Sequence, residues 1–448
     1  MSNPATQAGN IQKFLIYPST SGEPIDLGGV ISELSYYENV LSNTITASVA
    51  IVESGTEKLK GKTVLDGLPV RGGERIDIMF QDSQEQENLL SFLGKDKALY
   101  VNRVKNVDSS PQKSVYTLDL CTREFIANEQ SRVLKRYDGK ISDHIQKILT
   151  ENYNAGIKIT KNIDIDETVG NYNFVGNTRK PFYVCTWLAT KAIPKIDKNK
   201  ATGAAGGYFF YETSEGFKFK SIDVLFQQEP KKYYLYSNHS ATVESSPKGT
   251  KDAKYEKILS VDIERNLDLQ QNMLMGTYNN RSIFFNLYSF NHEVQPYQIT
   301  DQQNRIQSAG KEFVFVPEEF RNSPTRIMSH ILDLGALPSG KNAEEQLKNW
   351  NSNPTIPNFD AKNIMVQSIM RYNQLFSIKV NIMIAGDFSL KAGDIIYCDF
   401  PEINNKKDEP NKETGGKYLI ASLCHKVTPK NTYTSLTLVR DSFGKQTR

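Results

Sequence analysis

Few residues in this chain have the types and spacing that chemistry requires. GALPSGKN, Gly335 to Asn342, follows the phosphate-loop pattern GxxxxGK up to its last place. There Asn342 replaces the Ser or Thr whose hydroxyl would ligate magnesium. Pro338 stiffens the loop, and the preceding RIMSHILDL lacks clear strand character, so a Gly/Pro turn after a helix is the simpler reading. The five histidines, His144, His239, His292, His330 and His425, are dispersed, with no HExxH and no pair at a helical ligand spacing. His425 falls opposite Lys105 in the repeat described below, which implies a surface position. Cys121, Cys185, Cys398 and Cys424 form no CxxC and read as reduced thiols in cores. Glu33 and Glu38 flank SYY in a strand-like segment. A glycosidase pair meets only in three dimensions, and acids facing solvent beside aromatics are ordinary. The aromatic runs YFFY (208–211), KKYYLY (231–236) and IFFNLYSF (283–290) could stack bases or sugars, but alternation within strands explains them with one ring buried and the next partly exposed. No catalytic, cofactor-binding or metal-ligating residue is assigned, and no cofactor is expected.

The elements that would position such residues are more informative. At 448 residues the chain is long enough for two to four domains, and 22 Tyr with 22 Phe favour folded, strand-rich structure over disorder. A formal net charge of +3 gives no reason to expect tight, salt-dependent binding to nucleic acid. The N-terminal stretch lacks a basic region followed by an apolar one, and no apolar run of about 18 residues occurs. The expectation is a protein made in a cytosol, neither exported by a signal peptide nor inserted in a membrane.

An internal duplication organises the sequence. ALYVNRVKNVDSSPQKSVYTLDLCTREF (98–125) and KYLIASLCHKVTPKNTYTSLTLVRDSF (417–443) both read as hairpins with a Pro-containing polar turn. Leu99 aligns with Leu419 and Val107 with Val427. After a turn two residues shorter in the later copy, Leu118, Leu120 and Phe125 fall on Leu436, Leu438 and Phe443. Upstream, LPVRGGERIDIMF (68–80) matches FSLKAGDIIYCDF (388–400), placing Gly73 on Gly393, Glu74 on Asp394 and Phe80 on Phe400, as a Gly turn feeding a strand. TITASVAIVESG (44–55) matches LFSIKVNIMIAG (375–386), with Ile45/Phe376, Ala47/Ile378, Val49/Val380 and Ile51/Ile382 on one face. VISELSYYENVL (30–41) also resembles ILSVDIERNLDL (258–269), so the later copy is split. The repeat predicts an α+β, mainly antiparallel β protein with two related small β-barrel modules in tandem duplication.

The modules are separated by a different pattern. KISDHIQKILTENY places Ile141, Ile145, Ile148 and Leu149 at helical spacing, with Ser142 or Asp143 as a cap. NTRKPFYVCTWLATKAIP reads as a helix entered at Pro181 and ended before Pro194, and YFFYETSEGFKFKS as a hairpin turning at Glu215-Gly216. AKNIMVQSIMRYNQ (361–374) puts Met365, Ile369 and Tyr372 on one helix face. The expected division is 1–128, first β-barrel; 129–254, inserted α+β domain; 255–294 with 373–448, second β-barrel; and 295–372, a polar excursion ending in a helix.

On RYNQLFSIKVNIMIAGDFSLKAGDIIYCDFPE, GGKYLIASLCHKVTPKNTYTSLTLVRDSFG and the insert FVGNTRKPFYVCTWLATKAIP…GGYFFYETSEGFKFKSIDVLFQQEP, the sequence resembles the baseplate hub proteins of contractile-tailed phages of the myovirus type. That family is similar to the N-terminal part of type VI secretion spike proteins. The resemblance implies a homotrimer whose duplicated modules form a pseudo-sixfold ring. Such a ring adapts a hexameric tail tube protein to a trimeric central spike, meets baseplate wedge proteins, and leaves a bore for transient DNA passage in the virion. Three chains with two like modules each supply six near-equivalent positions. Two other readings stay open: a peptidoglycan-degrading tail enzyme, and a tail protein that binds a host receptor or polysaccharide.

Overall fold

The computed structural model describes residues 8–19, 22–55, 59–68, 70–82, 88–110, 112–151, 157–195, 205–236, 255–265, 268–287, 290–298, 306–313, 317–320, 324–331, 344, 361–401 and 411–445. The GALPSGKN stretch and His239 lie outside them.

With 47% strand and 17% helix, the protein is mostly β. The first repeat contributes β1 (Asn10–Tyr17), β2 (Ile31–Asn39), β3 (Thr46–Glu53), β4 (Arg75–Gln81), β5 (Leu99–Ser110) and β6 (Lys113–Thr122). These pair in the order β1-β4-β5-β6-β3-β2. Next come α1 (Arg123–Gln130), α2 (Ile141–Thr150), α3 (Pro181–Ala189), the hairpin β7 (Tyr208–Thr213) and β8 (Gly216–Ser221), and α4 (Ile222–Phe226). The second barrel starts with β9 (Tyr233–Leu235) and β10 (Tyr255–Arg265). A small sheet of β11 (Asn279–Asn286), β12 (Asn291–Gln298) and β13 (Arg326–Ile331) follows, then α5 (Ala361–Leu375). The chain ends with β14 (Ile378–Ala385), β15 (Ile395–Asp399), β16 (Gly416–Val427) and β17 (Thr432–Arg440). Arg326–Ile331 is therefore a strand, parallel to β11, where strand character was not expected from sequence.

The second barrel is closed, in the order β16-β15-β9-β10-β14-β17 and back to β16. Closure depends on β9, a three-residue strand that follows the insert's last helix and runs parallel to both β10 and β15. In the first repeat β1 sits beside β4 but antiparallel to it, and no pairing joins β1 to β2 among the described residues. Alternation explains the cores. Val49, Ile51, Leu118 and Leu120 of one repeat, and Val380, Ile382, Leu436 and Leu438 of the other, point into one contiguous apolar cluster.

Backbone pairing corrects the sequence alignment in three places. Val101 and Ile420 occupy the same site, each followed by a bulge and opposite Leu120 or Leu438, so the first hairpin strand is offset by one residue from the alignment of Leu99 with Leu419. A one-residue slip turns a side chain to the opposite face. Accordingly Leu99 lies in the barrel core, while Leu419 lies in a separate cluster against the insert. Val107 is 55% exposed where Val427 is buried. In the strand before, Val49 and Ile382 share a site, opposite Leu118 and Leu436, a shift of two that preserves the face. Third, Phe125 lies in α1, whereas Phe443 lies in a two-residue strand pairing with Glu312–Phe313.

The insert packs its own core from Ile141, Ile145, Ile148, Leu149, Phe182 and Leu188 against the buried face of the hairpin β7/β8. Lys140 is the N-cap residue of α2 and provides no side-chain cap; the Ser142 amide donates instead to Thr168 Oγ1 at 3.0 Å. Pro181 occupies the first turn of α3 as expected. All four YFFY rings are buried, because Tyr208 and Phe210 fill the insert core while Phe209 and Tyr211 fill the cluster on the second barrel. In IFFNLYSF the alternation holds between Phe284, buried, and Phe285, 41% exposed.

The repeated turns are the most detailed match. Gly73 and Gly393 have φ +87° and +90°, a region L side chains resist. Each donates its amide to the following hairpin strand, to Val101 and Ile420 respectively. Glu74 accepts from the Arg71 and Gly72 amides, and Asp394 from the Lys391 amide. Their surroundings differ. A Cβ at Gly73 would meet nothing within 4 Å, but at Gly393 it would lie 2.1 Å from the Tyr211 hydroxyl. Gly73→Ala should cost about 1–2 kcal/mol from backbone strain alone. Gly393→Ala should cost distinctly more, and urea denaturation of both variants measures the difference.

Candidate functional site

The two repeats join along β16. β16 pairs with β17 along one edge, and its other edge is shared. Its first residues pair with β15 of its own barrel, and Ser422–Val427 pair antiparallel with Asn39–Leu34 of β2 in the other barrel. The repeats thereby become one 14-stranded sheet. On the core side of this seam, the His425 ring stacks on Tyr36 at 6.0 Å and 7° and meets Phe388 at 4.7 Å. His425 is fully buried, which corrects the surface position expected from sequence, and the counterpart of Lys105 is Cys424 rather than His425. Nδ1 shares a 2.9 Å hydrogen bond with Thr434 Oγ1. Burial, aided by the nearby Lys391 charge, pushes its pKa down to about 3 and holds the ring neutral.

Glu38 is the node of the joint, not a solvent-facing acid. It is 1% exposed. Its carboxylate accepts from the Tyr36 hydroxyl (2.7 Å), the Ser214 amide at the tip of the β7/β8 hairpin (2.7 Å) and the Ala392 amide in the second barrel's Gly turn (2.9 Å). One side chain thus ties both barrels and the insert together. Burial raises its pKa, against the opposing Lys391 charge and these hydrogen bonds. Glu33, five residues away, pairs instead with Lys426 at 2.8 Å on the other face, so the two acids flanking SYY do not converge. Nearby, the Phe388 amide donates to Asp82 (2.8 Å), and Phe80 meets Phe388 edge-on at 5.4 Å.

Other buried charges fix the insert. Lys161 bridges Glu124 (2.8 Å) and Glu212 (2.7 Å), and Glu212 also accepts from the Ile45 amide of the first repeat (3.3 Å). Burial opposes the Lys161 charge, but Glu212 and Glu124 outweigh it and raise its pKa. With two carboxylates to one ammonium, burial pushes Glu212 up to about 7. Arg371 of α5 joins Asp223 of α4 (2.9 Å) to Asp441 after β17. Lys232 holds β9 by pairing with Asp387 (2.6 Å) and Glu256 (3.0 Å).

The face of the sheet opposite the cores is polar. Ser48, Thr117, Asp119, Ser35, Tyr37, Cys424, Ser435, Thr437, Asn381 and Asp262 follow one another across the ladders from β6 to β10. A shallow depression of about 570 Å³ lies on it between Tyr37, Asn39, Ser260, Asp262 and Thr437. Four of its cations are paired: Lys426 with Glu33, Lys379 with Glu264 (3.2 Å), and Arg103 and Lys105 with Asp119 (2.8 and 2.7 Å).

The repeat positions fall as follows. Phe80, Leu118, Leu120, Phe400, Leu436 and Leu438 are buried in the shared core, Gly73 and Gly393 make the matching turns, and Phe125 and Phe443 do not correspond. The sequence pattern suggests a surface position for Glu38 and His425 and does not single out Lys161 or Glu212, since a polar residue in an alternating strand or a bend gives no sign of what will cover it. The four cysteines are free; Cys121, Cys185 and Cys398 are buried and Cys424 is half-buried. Burial pushes the Cys121 thiol up to about 11. Among the described residues no group of three or more His, Cys, Asp and Glu could hold a metal ion, and no helix is long and apolar enough to cross a membrane.

The fold is that of a phage tail protein. The 43 kDa tail protein of prophage MuSo2 from Shewanella oneidensis is similar over 96% of this chain and 99% of its own, with TM-score 0.52 and 6% identity. The tail protein from Neisseria meningitidis MC58 aligns over 96% and 97%, with TM-score 0.49 and 8% identity. An E. coli component of the type VI secretion system, described as structurally similar to T4 bacteriophage tail proteins gp27 and gp5, aligns over 97% of this chain and 79% of its own, with TM-score 0.43 and 8% identity. No protein-family model matches the sequence, and no curated protein is significantly similar to it.

Two outcomes test the joint. Glu38→Ala strands three donors and should destabilise the protein by roughly 3 kcal/mol or more in urea denaturation. Glu212 is protonated in the folded state at pH values where the unfolded chain is ionised. Its contribution is therefore present below about pH 4.5 and is lost as pH rises toward 7, by roughly 3 kcal/mol. Glu212→Gln should remove that decline, read as the difference between its stability–pH curve and that of the native protein.

Proposed function

We propose that this protein is the structural baseplate hub of a contractile phage tail, without enzymatic activity. The observation that carries the reading is the seam: two copies of one strand order are already joined edge to edge through unlike edges, β2 of one and β16 of the other. A contact between unlike edges is not self-complementary, so repetition of it makes a ring or a filament rather than a closed pair. In the proposed homotrimer, six modules form a pseudo-sixfold ring that seats a hexameric tail tube protein on one side and holds a trimeric central spike on the other. Baseplate wedge proteins meet its outside. The domain division at 1–128, 129–254, 255–294 with 373–448, and 295–372 belongs to this proposal, with β9 of the insert lent to the second barrel and β11 and β12 forming a sheet outside it, as do synthesis in the bacterial host cytoplasm and residence in the virion.

The polar sheet face suits the wall of the bore. Its four mid-strand cations share three carboxylates, Asp119, Glu264 and Glu33, and Asp262 adds a fourth negative charge to the face, so they offer DNA phosphates little net attraction, and passing DNA would not be held. A chain of net charge +3 agrees with that.

Light scattering on the purified protein, alone and with its spike partner, should give three times the chain mass in at least one sample; monomer in both would sink the hub reading. A zymogram should show no cleared band in peptidoglycan, and clearing would favour the tail-enzyme reading. Adsorption of the isolated protein to host cells would favour receptor binding instead.

A further inference from the structure

The duplication also indicates where one copy meets the next. In the seam within the chain, Ser422, Leu423 and Cys424 of β16 pair with Asn39, Glu38 and Tyr37 of β2. The cross-strand registers identify the counterparts. Arg103, Val104 and Lys105 of β5 stand to β6 as Ser422, Leu423 and Cys424 stand to β17. Likewise Val261, Ile263 and Glu264 of β10 stand to β14 as Leu34, Tyr36 and Tyr37 stand to β3. Even the irregularities recur, with bulges after Val101 and Ile420 and after Ile31 and Ile258.

Both counterpart edges lack a strand. β4 and the Gly turn before it reach β5 only as far as Val101, and β9 reaches β10 only through Tyr255, Glu256 and Lys257, so beyond those points neither outer edge has a pairing among the described residues. Burial shows the consequence. Leu34 and Tyr36 are fully buried beneath the seam, whereas Val261 is half-buried and Ile263 is 36% exposed; Leu423 is 2% exposed, whereas Val104 is half-buried. Open, partly apolar strand edges invite another strand.

We propose that the occupant of each edge is a second copy of this chain: β5 of one copy pairs antiparallel with β10 of the next, in the register of the internal seam. That register sets Val104 opposite Arg265 and Lys105 opposite Glu264, so the pair at its centre has opposite charges. Asn106, which has φ +55°, and the register shift that follows Lys105 end the equivalence, leaving a short ladder. The inference rests on the hub reading, because closure of the ring at three copies comes from there.

The test replaces Lys105 and Glu264 by cysteine in the full-length chain. Directly opposed positions in a ladder lie about 4.5–5.5 Å apart, within reach of a disulfide. After mild oxidation, non-reducing electrophoresis of K105C/E264C should show covalent dimers and trimers that K105C or E264C alone does not form. Equal yield from R103C/E264C would overturn the register. In native protein, amide hydrogen exchange over residues 103–105 and 261–265 should slow at least roughly tenfold on assembly, a readout that needs no variant. A trimer by light scattering with neither cross-link nor protection overturns this interface and leaves the hub reading standing. Monomer throughout, with no cross-link, overturns both.

Discussion

The antiparallel ladder between β2 and β16 is the constraint on which the rest of the molecule depends. A barrel can satisfy its own strand edges by closing, as the second one does through β9. Here β16 outruns β15, and the surplus edge is satisfied by the other repeat. Since backbone donors and acceptors removed from water need partners, the two modules cannot move apart without exposing that ladder together with the Tyr36, His425 and Phe388 rings.

Buried charges then fix the insert relative to that seam. Glu38 draws two amides and a hydroxyl from three parts of the chain onto one carboxylate, and Lys161 and Arg371 each bridge two acids between elements far apart in sequence. Such groups are poor sources of net stability but penalise any arrangement that separates them. They act as registration devices, fixing how the insert and α5 sit on the barrels, while apolar burial supplies the driving force.

Much of this was legible in the residues. The strand order, the Gly73 and Gly393 turns, the helices at Ile141 and Pro181, and the hairpin at Tyr208 all follow from local pattern. Register was less legible. Leu99 and Leu419 look alike but face opposite sides, because the first hairpin has a second register shift after Lys105 that the later one lacks, which changes the count without changing residue type. His425 lies in an alternating strand that reads the same whether its far side meets solvent or another barrel, and Glu38 carries no sign of its three donors.

Local pattern set the duplicated strands, their cores and the helices and hairpin of the insert, because hydrophobic periodicity and turn chemistry act over a few residues. Long-range packing settled that β9 closes one barrel, that β16 joins the two repeats, and that Glu38 lies at their junction. Those outcomes are set by edges and carboxylates meeting across as many as 354 residues of chain, and pairing at that range is governed by which surfaces remain uncovered after the local elements have formed.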